Sequence, residues 1–190
     1  SLGLQSLNNN LLKAIGRIHT AEEFIDSFKI LREAGFNNIN VDLMFGLPSQ
    51  TLADLLDTIT EVVDLGVDHI SLYSLIIEED TLINKWNSKG LLDMPKEDLE
   101  REMYHKSLEL LEMKGYGQYE ISNFAKPGYK CKHNLVYWRV EPYLGLGLAS
   151  HSNLFQRRFW NVSKLNSYNH LLASGNTPIE GQEEIHKEME

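Results

Sequence analysis

Along the first half of the chain, the spacing of apolar residues switches between a period of two and a period of three to four. Leu2 and Leu4, then Ile39, Val41 and Leu43, then Ile70 and Leu72 alternate with Gly3 and Gln5, with Asn40, Asp42 and Met44, and with Ser71 and Tyr73. Successive strand side chains point to opposite faces, so each run predicts a strand with one apolar face, over about Leu2–Gln5, Ile39–Met44 and His69–Leu75. Helical patterns fill the gaps. A short helix is expected over Asn8–Ile15, broken at Gly16-Arg17. Thr20 with Glu23 then forms a capping box, Phe24, Phe28 and Leu31 mark a buried stripe, and Gly35 is the stop. Thr51 with Asp54 caps the next helix, which buries Leu55, Ile59 and Val62 and ends at Gly66. Strand and helix recurring about every thirty residues predict βα units on a parallel sheet.

The polar side of those strands changes the picture. In a closed (β/α) barrel the inward positions are mostly branched aliphatics, whereas here they are polar or small. That pattern suits an incomplete barrel whose concave face is a ligand cavity; a sheet surface left exposed to solvent would produce the same alternation. Beyond the third strand the repeat stops. A short helix is expected over Asp80–Trp86, and Pro95 opens a longer one with a stripe of Leu99, Met103, Leu108 and Leu111 before Gly115. A strand at Tyr119–Ser122, a strand near Phe159–Val162 and a helix over Ser163–Ala173 follow. Gly145 and Gly147 fit close backbone approach or turns better than a dinucleotide fingerprint, whose spacing they lack. After Pro178 the chain is acidic and helix-prone.

Composition narrows the class. The 190 residues carry 27 acidic and 18 basic side chains, a formal charge of −9, which argues against a nucleic-acid surface. No run approaches the roughly twenty apolar residues of a membrane span. The single cysteine, Cys131, excludes an internal disulfide and suits a cytoplasmic setting. Cys131, His133 and His151 lack the close ligand spacing of a structural zinc site, and His19, His69, His105, His170 and His186 are scattered.

The densest chemistry lies in Cys131-Lys-His-Asn-Leu-Val-Tyr-Trp. An imidazole, a phenol and an indole within six residues offer iron ligands and flat apolar surface together, as a planar metallo-macrocycle requires. Haem is the first ligand to consider. His133 is the nitrogen donor for the iron, Tyr137 a second candidate and Trp138 an apolar wall. The structural alternative is a helical turn whose aromatic residues are core.

Ser1-Leu-Gly-Leu-Gln-Ser, Asp42-Leu-Met-Phe-Gly-Leu-Pro-Ser-Gln-Thr and Gln118-Tyr-Glu-Ile-Ser-Asn-Phe-Ala together resemble the radical S-adenosylmethionine proteins related to oxygen-independent coproporphyrinogen III oxidase. His133-Asn134-x-x-Tyr137-Trp138 resembles the haem-chaperone branch of that family. The resemblance runs from Ser1 to about Tyr168. It implies an α/β fold: the C-terminal part of an incomplete parallel (β/α) barrel over residues 1–92, a smaller α+β region over 93–175, and the start of a truncated helical domain over 176–190. By the same resemblance Gln5 and Asp42 hydrogen-bond the ribose hydroxyls of S-adenosylmethionine, Arg17 pairs with its carboxylate, and Tyr73 walls the adenine. The implied function is a haem-binding chaperone that delivers haem, or handles a related porphyrin, for respiratory proteins, with peripheral membrane contact possible. The alternatives are radical oxidative decarboxylation of coproporphyrinogen III and an inactive fragment. The family's [4Fe-4S] cluster needs three cysteines upstream, so the resemblance implies a cluster in the intact protein only and leaves catalysis by this chain open.

Overall fold

The computed structural model describes residues 1–185. The chain packs as two compact units that divide between Lys130 and Cys131.

The first unit runs β1 (Leu2–Gln5), α1 (Asn9–Ala14), α2 (Ala21–Glu33), β2 (Asn40–Phe45), α3 (Leu52–Asp64), β3 (His69–Ser74), α4 (Leu82–Asn87), α5 (Glu97–Met113), β4 (Gly117–Gln118) and β5 (Asn123–Ala125). Its sheet has the order β1-β2-β3-β5-β4. β1, β2 and β3 are parallel, as the repeat predicts, and β5 then closes antiparallel on β3. Both capping boxes form, each with the Thr hydroxyl on the backbone N–H three residues on and the carboxylate returning to the cap. On α3, Leu55, Ile59 and Val62 are fully buried, which stabilises the fold by roughly 2 kcal/mol per side chain. They pack with Leu4, Val41, Leu43, Ile70, Leu72, Phe24 and Phe28, together with Met103 and Leu111 of α5. Because α5 shares this core, the observed division falls well after the expected boundary at 92/93.

Two buried polar ties hold the ends of these elements. The Tyr116 hydroxyl donates to the Val67 carbonyl at 2.6 Å, and burial pushes the phenol up to about 12. Asp68 accepts from Arg32 at 2.7 Å and from the Ile39 N–H at 3.0 Å.

The second unit contains α6 (Lys132–Trp138), β6 (His151–Leu154), β7 (Arg157–Asn161), α7 (Leu165–Ala173) and β8 (Ile179–Glu184), with β6-β7-β8 forming an antiparallel sheet. β7 and α7 lie near their expected positions. Two expectations are corrected. Tyr119–Ser122 is not a strand but the link between β4 and β5, with the Ser122 N–H bonded to Glu120 at 3.0 Å. Nor do residues 176–185 begin a helical domain: Ile179–Glu184 is a strand, because pairing with β7 outweighs the helical propensity of an acidic run. Residues 186–190 of that expectation lie outside the described residues.

Candidate functional sites

The first unit gathers polar groups on the side of the sheet away from α2 and α3. Gly3 stands opposite Asp42, and the β1–β2 register slips between Gly3 and Gln5, where Gln5 takes φ 71°. A side chain at position 3 would put its Cβ 2.6 Å from the Arg17 guanidinium and 3.0 Å from the Gln5 amide. Glycine here leaves room for both groups. Arg17 donates to the Gly3 carbonyl at 3.1 Å. Gln5 and Arg17 thus meet beside Gly3, and Asp42 is the register partner of Gly3 on β2. Tyr73 sits on the same face, opposite Met44, and is 43% exposed.

Asp42 is held from behind by a network that sequence reasoning misses. The Asn40 amide nitrogen donates to one Asp42 oxygen at 2.8 Å, and the Ser1 hydroxyl donates to the other at 2.9 Å. The Asn40 carbonyl oxygen accepts from Ser71 at 3.1 Å and lies 2.6 Å from His69 Nδ1. An amide oxygen cannot donate, so Nδ1 carries the proton and neutral His69 accepts at Nε2 from the Tyr119 hydroxyl, 2.7 Å away. Burial holds the His69 imidazole below its ordinary value, and the nearby charges of Asp42 and Glu120 oppose that shift. The missed signal is the period of two itself, since His69 falls on the face of Ser71 and Tyr73.

In the second unit, the motif singled out by the sequence forms α6. Helical spacing brings His133 and Tyr137 together, with the phenol oxygen 3.0 Å from His133 Nε2 and the rings edge-to-face at 4.9 Å. Tyr137 packs in turn on Tyr143 at 4.6 Å. Neither of the last two helix residues is core: Tyr137 is 46% and Trp138 55% exposed. A cavity of about 390 Å³ opens beside them, lined by His133, Tyr137, Tyr143, Leu144, Gly145, Leu146, Ser150 and His151. Trp138 is not among its walls. The glycine run shapes the cavity by close approach, as a Cβ at Gly145 would strike the His151 carbonyl. Three bonds fix this loop further: the Gly145 N–H donates to Ser152 Oγ at 3.0 Å, and Tyr143 and Asn153 exchange two backbone hydrogen bonds at 2.9 Å. His151 and Tyr143 carry no periodic signal, because folding of an irregular loop brings them to α6.

No group of three or more His, Cys, Asp or Glu side chains is placed to hold a metal ion among the described residues. One cysteine cannot supply the three thiolates of a cubane iron-sulfur cluster, so these 190 residues do not fit that cofactor. The cradle of Gly3, Gln5, Arg17 and Asp42 does fit a polyhydroxylated, carboxylate-bearing ligand such as S-adenosylmethionine. No helix among the described residues is long and apolar enough to cross a membrane.

Residues 1–62, which contain β1, β2 and most of α3, match the radical SAM superfamily. The chain belongs to that superfamily. It is similar to the heme chaperone HemW of Bacillus subtilis (strain 168), at 42% identity over 195 aligned positions that cover 100% of this chain and 52% of the relative. HemW of Lactococcus lactis subsp. lactis (strain IL1403) is 40% identical over 88% of this chain and 44% of its own length. HemW of Escherichia coli (strain K12) is 38% identical over 81% of this chain and 40% of its own. Among solved structures, the radical SAM enzyme coproporphyrinogen III oxidase (HemN) of Escherichia coli superposes with a TM-score of 0.77 over 97% of this chain and 45% of that one; at 19% identity this is a likeness of fold. The chain spans about half the length of the curated relatives it matches.

Proposed function

We propose that this chain belongs to a haem-binding carrier that passes haem to respiratory proteins in the cytoplasm. The observation that carries the reading is the aromatic, partly exposed cavity beside α6, where an imidazole and flat apolar surface stand together. The similarity to proteins described as heme chaperones supports it. His133 and Tyr137 contact the macrocycle, and Trp138 covers apolar surface at its rim. His133 serves as a nitrogen donor to iron: if its Nε2–H is given to the Tyr137 oxygen, the lone pair of Nδ1 is left for the metal, the usual arrangement of a ligand whose second nitrogen is anchored. In the first unit Gln5 and Asp42 receive the ribose hydroxyls of S-adenosylmethionine, Arg17 its carboxylate, and Tyr73 its adenine.

Haem titrated into the protein should give a saturable Soret shift at one haem per chain, and His133→Ala should weaken the complex. Absence of binding by the parent would overturn the carrier reading and favour porphyrin decarboxylation as the role of this group of proteins.

A further inference from the structure

His151 shares the cavity with His133 but reaches it from a different element. It opens β6, whereas His133 lies in the first turn of α6. Its imidazole is stacked on Trp160, its register partner across the β6–β7 ladder, with ring centroids 5.7 Å apart and planes at 27°. Trp160 is itself seated over Gly181 on β8, where a Cβ would come within 2.5 Å of the indole. Three strands thus back the imidazole where it lines the cavity. Among the described residues, nothing hydrogen-bonds to either ring nitrogen of His151, although the side chain is exposed.

An imidazole fixed by stacking, with both nitrogens uncommitted and an apolar, aromatic cavity beside it, has the form of a metal donor. Most surface histidines lack such backing. We infer that His151 is a second axial ligand to the haem iron, so that a bound haem is six-coordinate with one imidazole from α6 and one from β6. This inference rests on the haem-carrier reading. The ligation is a Lewis acid–base bond: a neutral imidazole lone pair fills an iron coordination position, water or hydroxide leaves it, and no electron is transferred. Leu144, Leu146 and Tyr143 supply apolar contacts for the plate.

The test uses ferric haem bound to the parent chain, to His151→Ala and to His151→Met, followed by visible absorption and electron paramagnetic resonance. The parent should show a low-spin, bis-nitrogen spectrum. His151→Ala should convert it to high spin, free imidazole should restore the low-spin form, and the Met variant should give a distinct nitrogen–sulfur signature. A parent complex that is already high spin, or an His151→Ala complex with the parent's spectrum, overturns the His151 assignment while leaving haem binding intact. A parent that binds no haem removes the carrier reading, and this inference with it.

Discussion

His69 shows how one buried side chain can tie a proposed cofactor contact to pH. Its two ring nitrogens lie against Asn40 and Tyr119, and burial disfavours the charged form. In the unfolded chain the group has its ordinary value of 6.5. The unfolded state therefore binds a proton first as pH falls below about 6.5, and stability must fall with it until the lowered folded value is reached. Above about pH 7 both states are neutral and the group has no effect. Urea midpoints measured between pH 7.5 and 5.5 should decline in the parent and decline less in His69→Gln. Equal slopes would show that His69 is not the titrating group. Its partner Asn40 also donates to Asp42, so His69 stands one hydrogen bond behind the carboxylate proposed to receive the ribose.

At the level of elements, the β6–β7 turn stores strain. Phe155 and Gln156 are its two central residues, with φ of 56° and 60°, a left-handed pair that favours Asn-Gly. Phe155 is 90% exposed, so burial does not offset the cost. The double substitution Phe155→Asn, Gln156→Gly should stabilise the second unit by about 1 kcal/mol, read as a raised thermal midpoint; an unchanged or lowered midpoint would mean that these side chains contribute elsewhere. That turn was not legible beforehand, because neither residue is a turn former. Legibility tracked periodicity. α2 and α3 could be placed to within a residue or two from their Thr caps and apolar stripes, and the parallel strands from their alternation. β8 could not, since Ile179–Glu184 has no alternating apolar face and owes its form to β7. The sites divide in the same way. Gln5, Asp42 and Tyr73 fall on one face by parity, and His133 with Tyr137 by helical spacing. His151 is brought in by a glycine-shaped loop whose path depends on contacts that no local pattern encodes.

For the molecule as a whole, chemistry is limited by its inventory of ligands. With one sulfur donor of the needed kind in 190 residues, anaerobic reconstitution with iron and sulfide should give no stoichiometric [4Fe-4S] absorbance near 1 cluster per chain. Loading at that ratio would require bridging between chains and would be visible as a change in sedimentation. The edge of the five-stranded sheet bears on any such measurement. β1 lies at the end of the strand order, where unpaired peptide groups can template growth by another chain. Two of its carbonyls are already taken: Gly3 by Arg17 at 3.1 Å and Leu4 by His19 at 3.2 Å. The slip in register at Gln5 adds an irregularity that a flat incoming strand cannot match. Arg17 thus occupies a peptide carbonyl of the terminal strand of this sheet, besides being the residue proposed to meet a ligand carboxylate. A variant that removes it is expected to become stickier, and a loss of apparent binding in that variant has to be separated from a loss of dispersed protein.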